Sequence, residues 1–242
     1  MNYALCTFHK CASNWFRDIF WAVSEDQDIS VVPFPKTESR FGKPVKRGSE
    51  SLWIFATGRY EDFESAVGQG AVGQVPCILA VRDPRDALVS QYYSWKFTHK
   101  NNSPRILAAR EQLQQHNERL GLEYLIKNRF FSFGNNIVNW GDKLGSYPSI
   151  NILRYEDVLE DFSCSVGEAL SHLGIRYERE LLARLEKDTS FQTKTKRQRG
   201  EEDQQSHYRK GVAGDHRRFF DKEISALFDQ EYGAALSILG YR

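Results

Sequence analysis

Short apolar runs that each break into a polar turn and then a helix-like stretch decide the fold class of this chain. Runs at 3–8, 52–56, 77–81 and 150–154 have the length and content of buried strands. Helical spacing marks 14–23, 84–99, 105–118, 120–128, 134–144, 163–173, 178–187 and 221–238. The alternation argues for an α/β fold with a central parallel β-sheet flanked by helices. Such sheets place ligands beyond the carboxyl ends of their strands. The segment 33–50 carries three prolines and several charges and reads as loop, and 192–215 reads as a long mobile loop. Long loops in a compact domain are usually lids or binding loops.

The first run is the most informative. Tyr3-Ala4-Leu5-Cys6-Thr7-Phe8 leads into His9-Lys10-Cys11-Ala12-Ser13-Asn14, and Trp15, Phe16, Ile19, Phe20 and Val23 then share one helical face. A strand that turns sharply into a helix leaves free N–H groups at the helix start, where the dipole adds partial positive charge. Lys10 adds a full one. That geometry suits a phosphate or a sulfate. It is not a Walker-A loop, because the lysine comes first and neither glycine of G-x-x-x-x-G-K-[ST] is present.

Two further segments supply cations. Cys77-Ile78-Leu79-Ala80-Val81 runs into Arg82-Asp83-Pro84-Arg85-Asp86, so Arg82 closes a strand and Pro84 opens a helix that carries Ser90 two turns on. Tyr208-Arg209-Lys210-Gly211-Val212-Ala213-Gly214-Asp215 sets two cations beside a glycine, through which backbone can approach a ligand closely. Arginine, lysine and free N–H groups together suit a phosphate dianion.

These segments resemble the sulfotransferases that use 3'-phosphoadenosine 5'-phosphosulfate (PAPS). His9 to Trp15 is similar to the family's 5'-phosphosulfate loop, usually P-K-S-G-T-T-W. Arg82 and Ser90 resemble its 3'-phosphate motif, and Arg209 to Asp215 its late R-K-G-x-x-G-D-W motif. Leu153-Arg154-Tyr155-Glu156-Asp157 and Thr189-Ser190-Phe191 fall between them in the right order. The run from Phe219 to Tyr241 is also similar to bacterial members, so the resemblance spans nearly the whole chain.

The resemblance implies a P-loop-like domain that moves a sulfuryl group from PAPS to a hydroxyl of a small-molecule or glycan acceptor. It implies a cofactor site of Lys10, Ala12, Ser13, Asn14, Trp15, Arg82, Ser90, Tyr155, Thr189, Phe191, Arg209, Lys210 and Gly211. Lys10 would steady the leaving oxygen, with Ser90 also in the catalytic set. Trp15 offers a flat face for adenine. The usual first-loop glycine is Ala12, the usual tryptophan after Asp215 is His216, and the base histidine of animal cytosolic members is missing from Phe55 to Asp62. Glu61 or Asp62 could replace it, with His9 and His99 as rivals. The acceptor would lie against 33–72 and 100–135, whose Phe34, Phe41, Tyr60, Phe63, Tyr124, Phe130, Phe131 and Phe133 suit a lipid, a phenol or a sugar ring.

At 242 residues the chain is expected to be one sulfotransferase domain over 1–242, and a homodimer is left open. A net charge of +1 offers no global field for nucleic acid. The local run Lys194 to Arg199 reads as a solvated basic stretch. Cys6, Cys11, Cys77 and Cys164 have no metal-ligand spacing, so no metal site is expected. With no charged-then-apolar leader and no long apolar run, no membrane span and a reducing, cytoplasmic location are expected. Two other classes compete: a kinase-like phosphotransferase, which would need a late P-loop lysine and a magnesium carboxylate, and a nucleotide-binding protein without transfer activity.

Overall fold

The computed structural model describes residues 2–34, 45–100 and 103–241. Its centre is a five-stranded sheet in the order β2-β3-β1-β4-β5. The strands are β1 (Tyr3–Thr7), β2 (Ser30–Phe34), β3 (Ser51–Phe55), β4 (Cys77–Val81) and β5 (Ile150–Arg154). All four pairings are parallel, as the alternation with helices requires.

Period-two alternation splits the core. Ala4, Cys6, Phe55, Leu79 and Val81 face one side, while Tyr3, Leu5, Ile54, Ile78, Ala80 and Leu153 face the other. On the second side lie α1 (Ser13–Asp26), α8 (Tyr155–Glu160), α9 (Phe162–Leu173) and α10 (Arg179–Thr189). Helix α1 buries Trp15, Phe16, Ile19, Phe20 and Val23, the stripe its spacing predicts. The first side holds α2 (Tyr60–Val67), α3 (Pro84–Tyr93), α4 (Pro104–Gln115), α5 (Glu118–Lys127), α6 (Ser132–Ile137), α7 (Gly141–Ser146) and α12 (Lys222–Leu239). The short α11 (Phe191–Thr195) follows α10.

Two expectations need correction. Ser30–Phe34 is a strand, although 33–50 reads as loop; residues 35–44 lie outside the described set. Pro33 is tolerated because β2 is outermost in the sheet and a missing donor there breaks no inner ladder. The stretch 192–215 also has more internal order than a polar loop suggests. It carries α11, a 3₁₀ turn begins at Asp215, and amides of Gly200 and Asp203 donate to the carbonyls of Lys210 and Arg209, each at 2.9 Å. Guanidinium–carbonyl bonds help to hold it, and these leave no apolar periodicity to read.

Candidate active site

Residues just after four strands meet at the carboxyl edge of the sheet. His9 and Lys10 follow β1, Ala56 follows β3, Arg82 follows β4 and Tyr155 follows β5, and all line a cavity of about 930 Å³. Ser13, Asn14, Trp15, Ser90, Thr189, Phe191, Arg209, Lys210 and Gly211 line it too. Topology thus gathers segments far apart in sequence at one mouth.

The turn before α1 is tight. Lys10 (φ 68°) and Ala12 (φ 56°) are both left-handed, and Cys11 N–H donates to Phe8 O at 3.1 Å. Ala12 therefore adopts the backbone that the family's glycine would take freely, at a cost of about 1–2 kcal/mol. Helix α1 starts with no side-chain cap and no acidic residue in its first turn. Its leading N–H groups remain available to an anion. Withdrawal from solvent, with Arg82 and Arg209 nearby, lowers the Lys10 ammonium to about 8.

Arg82 is nearly covered. Its Nη2 donates to Val212 O at 2.9 Å and stands 3.5 Å from Asp86 Oδ2, and its guanidinium lies 4.7 Å from the centre of the Tyr155 ring. Its Nε is buried with no hydrogen-bond partner. An orphaned donor on a cavity wall is what an anionic ligand would satisfy. Asp86 offsets part of that charge, and its oxygens also accept from Gly214 N–H (2.6 Å), His216 N–H (2.7 Å) and His216 Nδ1 (2.9 Å). Burial opposes its ionisation, yet the His216 hydrogen bonds and the Arg82 charge bring it down to about 2. His216, standing where the family has tryptophan, is thus held by hydrogen bonds to the Asp86 carboxylate.

Arg209 and Lys210 share Asp215, the latter at 2.6 Å, and Arg209 also meets Glu202 at 2.6 Å. Gly211 is left-handed (φ 69°), and a Cβ there would fall 2.4 Å from the Phe191 ring. Only glycine fits that packing. Trp15 is buried edge-to-face on Tyr155, and its indole N–H donates to Thr189 Oγ1 at 3.1 Å. Thr189, itself on the cavity wall, is therefore tied to Trp15 and, at 2.8 Å, to Leu185 O.

Of the residues expected to hold the nucleotide or act in catalysis, the two candidate carboxylate bases, Glu61 and Asp62, are away from the cavity wall. Glu61 sits half-exposed in the first turn of α2, 2.5 Å from Asn139 Nδ2 and 3.8 Å from Arg59. Asp62 accepts from Thr57 Oγ1 at 2.8 Å and is likewise off the wall. His9 and His99 do line the cavity, with ring centres 5.7 Å apart in a T-shaped contact. The aromatics expected at the acceptor end serve the core: Tyr60, Phe63, Phe131 and Phe133 are buried there, and Phe34, Tyr124 and Phe130 pack against it. Phe41 lies outside the described residues. Their apolar periodicity belongs to packing on the sheet.

Sequence reading missed several wall residues: Arg17, Thr98, Lys100, Leu159, Arg199, His207, Tyr208 and Val212. Asn14 Nδ2 donates to His207 Nε2 at 2.9 Å, and burial beside Lys10 and His99 lowers His207 to about 4, leaving it neutral at ordinary pH. Arg199 stands in the basic run that reads as solvated, yet it borders the cavity and donates to Leu159 O at 3.2 Å. Only proximity to the late R-K-G motif could have signalled it. Among the described residues no group of three or more His, Cys, Asp or Glu could hold a metal ion. No described helix is long and apolar enough to cross a membrane.

Comparison with known proteins agrees with this geometry. The family model described as the sulfotransferase domain matches residues 74–240. A 3-alpha-hydroxysteroid sulfotransferase of Cavia porcellus is 24% identical, over 93% of this chain and 80% of its own length. Sulfotransferase 2A1 of Macaca fascicularis is 22% identical, over 93% and 81%. A mouse sulfotransferase solved with PAP is similar in fold, with a TM-score of 0.70 at 20% identity over 99% of this chain and 87% of that one. Retinol dehydratase solved with retinol and PAP gives a TM-score of 0.62 at 15% identity, over 97% and 80%. On the span of the family match, this chain belongs to the sulfotransferase domain family.

Proposed function

We propose that the whole chain acts as one sulfotransferase domain that moves a sulfuryl group from PAPS to a hydroxyl. The observation that carries this reading is a cavity with two neighbouring cation sets. One is Lys10 with the uncapped start of α1; the other is Arg82 with Arg209 and Lys210. A 5'-nucleotide needs the first. Only a nucleotide with a further phosphate gives the second a purpose, and the orphaned Arg82 Nε fits such a group.

In this reading Ser13, Asn14 and the first N–H groups of α1 hold the 5'-phosphosulfate. Arg82, Ser90, Arg209, Lys210 and the Gly211 N–H hold the 3'-phosphate. Trp15, Tyr155, Thr189 and Phe191 shape the adenosine side. PAPS, when bound, supplies the activated sulfuryl group. Lys10 then steadies negative charge on the departing bridging oxygen, and in-line positioning does most of the remaining work. His9 and His99 line the cavity that Lys10 lines and Glu61 does not, so in this reading an imidazole takes the proton of the acceptor hydroxyl.

The test is transfer of labelled sulfate from PAPS to a panel of phenols, steroids and sugars, with release of 3'-phosphoadenosine 5'-phosphate (PAP). PAP binding with no turnover of PAPS across that panel would favour a nucleotide-binding protein without transfer.

A further inference from the structure

Arg197 lies in the basic stretch whose sequence reads as solvated, yet its guanidinium faces inward. Nη1 donates to Glu201 O at 2.8 Å and to Arg209 O at 2.9 Å, and Nη2 donates to Tyr208 O at 2.5 Å. Its plane lies 5.2 Å from the centre of the Phe191 ring. Its own N–H donates to Thr195 Oγ1 at 3.1 Å, which fixes where the side chain starts.

The chain leaves α11, runs out through Glu201 and returns through Tyr208. Arg197 ties the outgoing limb to the returning one. Two of its acceptors, Tyr208 O and Arg209 O, immediately precede Lys210 and Gly211. Phe191, on which it rests, is a cavity-wall residue packed beneath Gly211. One planar fork thus braces the backbone of the Arg-Lys-Gly segment from behind, and a lysine could not reach the three carbonyls at once. Arg197 is not on the cavity wall, so any effect on a ligand passes through the residues it holds.

We propose that Arg197 is a positioning residue for the 3'-phosphate end of the nucleotide site; this rests on the donor reading above. Its loss loosens the return limb and takes the Arg197 donor from the Glu201 and Tyr208 carbonyls, while Arg209 O keeps the Asp203 N–H. Arg209, Lys210 and the Gly211 N–H then no longer present a fixed set of donors. The loop at Lys10 is built by β1 and α1 and meets this limb at Asn14, which donates to His207 Nε2 at 2.9 Å, so the 5'-phosphate end should be affected far less.

Calorimetry with PAP and with AMP, which lacks the 3'-phosphate, separates the two ends. Arg197→Gln should weaken PAP binding roughly tenfold or more while AMP affinity stays within about twofold, and Arg197→Lys should recover only part of the loss. Equal losses for both nucleotides, or no loss for either, would overturn the assignment, because a merely structural role predicts the first and a solvated arginine the second. If Arg197→Gln lacks a cooperative thermal transition, hydrogen exchange on the wild-type chain decides. The Gly200 and Asp203 amides should gain protection with PAP and not with AMP; equal protection by both would contradict the proposal. A wild-type chain with no preference for PAP over AMP sinks the donor reading and this inference with it. A preference that survives in Arg197→Gln sinks this inference alone.

Discussion

Lys10 meets two opposed demands. On the proposed reading it must be charged to hold an anion, and it sits where burial and the cations of Arg82 and Arg209 lower its ammonium to about 8. In the free protein the charge is therefore full below that value and lost above it. An incoming anion restores it, so binding above pH 8 takes up a proton. PAP affinity should be flat below about pH 7.5 and fall by up to about tenfold per unit above 8. Calorimetry across pH 6.5–9.5 in buffers of differing ionisation heat would read both the decline and the proton; a flat profile would mean that Lys10 does not touch the ligand. Lys10→Ala should lower turnover by roughly 10²–10³ and PAP affinity far less, since its main contribution is made in the transition state. Near wild-type turnover would remove it from the mechanism. That Lys10, Arg82, Arg209 and Lys210 share one cavity wall is legible because each sits at a fixed offset from a strand end or a glycine. Arg197 and Arg199 were not, because an arginine bonded to carbonyls has the same sequence appearance as one in water.

The elements are joined at the site by a clamp on α3. Arg82 holds Val212 and Asp86 holds Gly214 and His216, so residues 212–216 are bolted to the start of that helix. The Asp86 carboxyl lies near 2 in the folded chain against an ordinary 3.8. Its contribution is complete above 3.8 and disappears as pH falls through 2. Asp86→Asn should therefore cost about 3–5 kcal/mol at neutral pH, the range for breaking one side of a buried charged contact. Urea unfolding at pH 7 would measure the cost; a change below about 1 kcal/mol would mean that the clamp is not structural. That cost should shrink as pH falls from 4 to 2, because the wild-type chain loses the Asp86 contribution there and the variant has none to lose. Element type was readable wherever one period dominated, as in α1 and β4. Strand β2 escaped because Pro33 and the flanking charges mimic a loop, and nothing local announces that β3 lies alongside. The aromatics of α2 and α6 misled for a related reason: apolar residues show that a surface is covered, but not by core or by substrate.

At the scale of the molecule, a nearly neutral chain concentrates positive charge at one mouth of its sheet. Folding does this by placing the ends of β1, β4 and β5 side by side and drawing the late Arg-Lys-Gly segment across them. Asp86 and Asp215 balance part of that charge and keep it in place. The α/β class was legible from alternation alone, whereas the strand order was not, since it depends on long-range pairing. On the proposed reading this mouth recognises a nucleotide with phosphates at both the 3' and 5' positions of its ribose. The most direct test compares PAP with AMP by calorimetry at pH 7, in the wild-type chain and in Arg82→Ala. PAP should bind at least tenfold more tightly than AMP, and Arg82→Ala should lose about 1.5–3 kcal/mol of PAP binding with little change for AMP. Equal affinities for the two nucleotides in the wild-type chain would contradict the account.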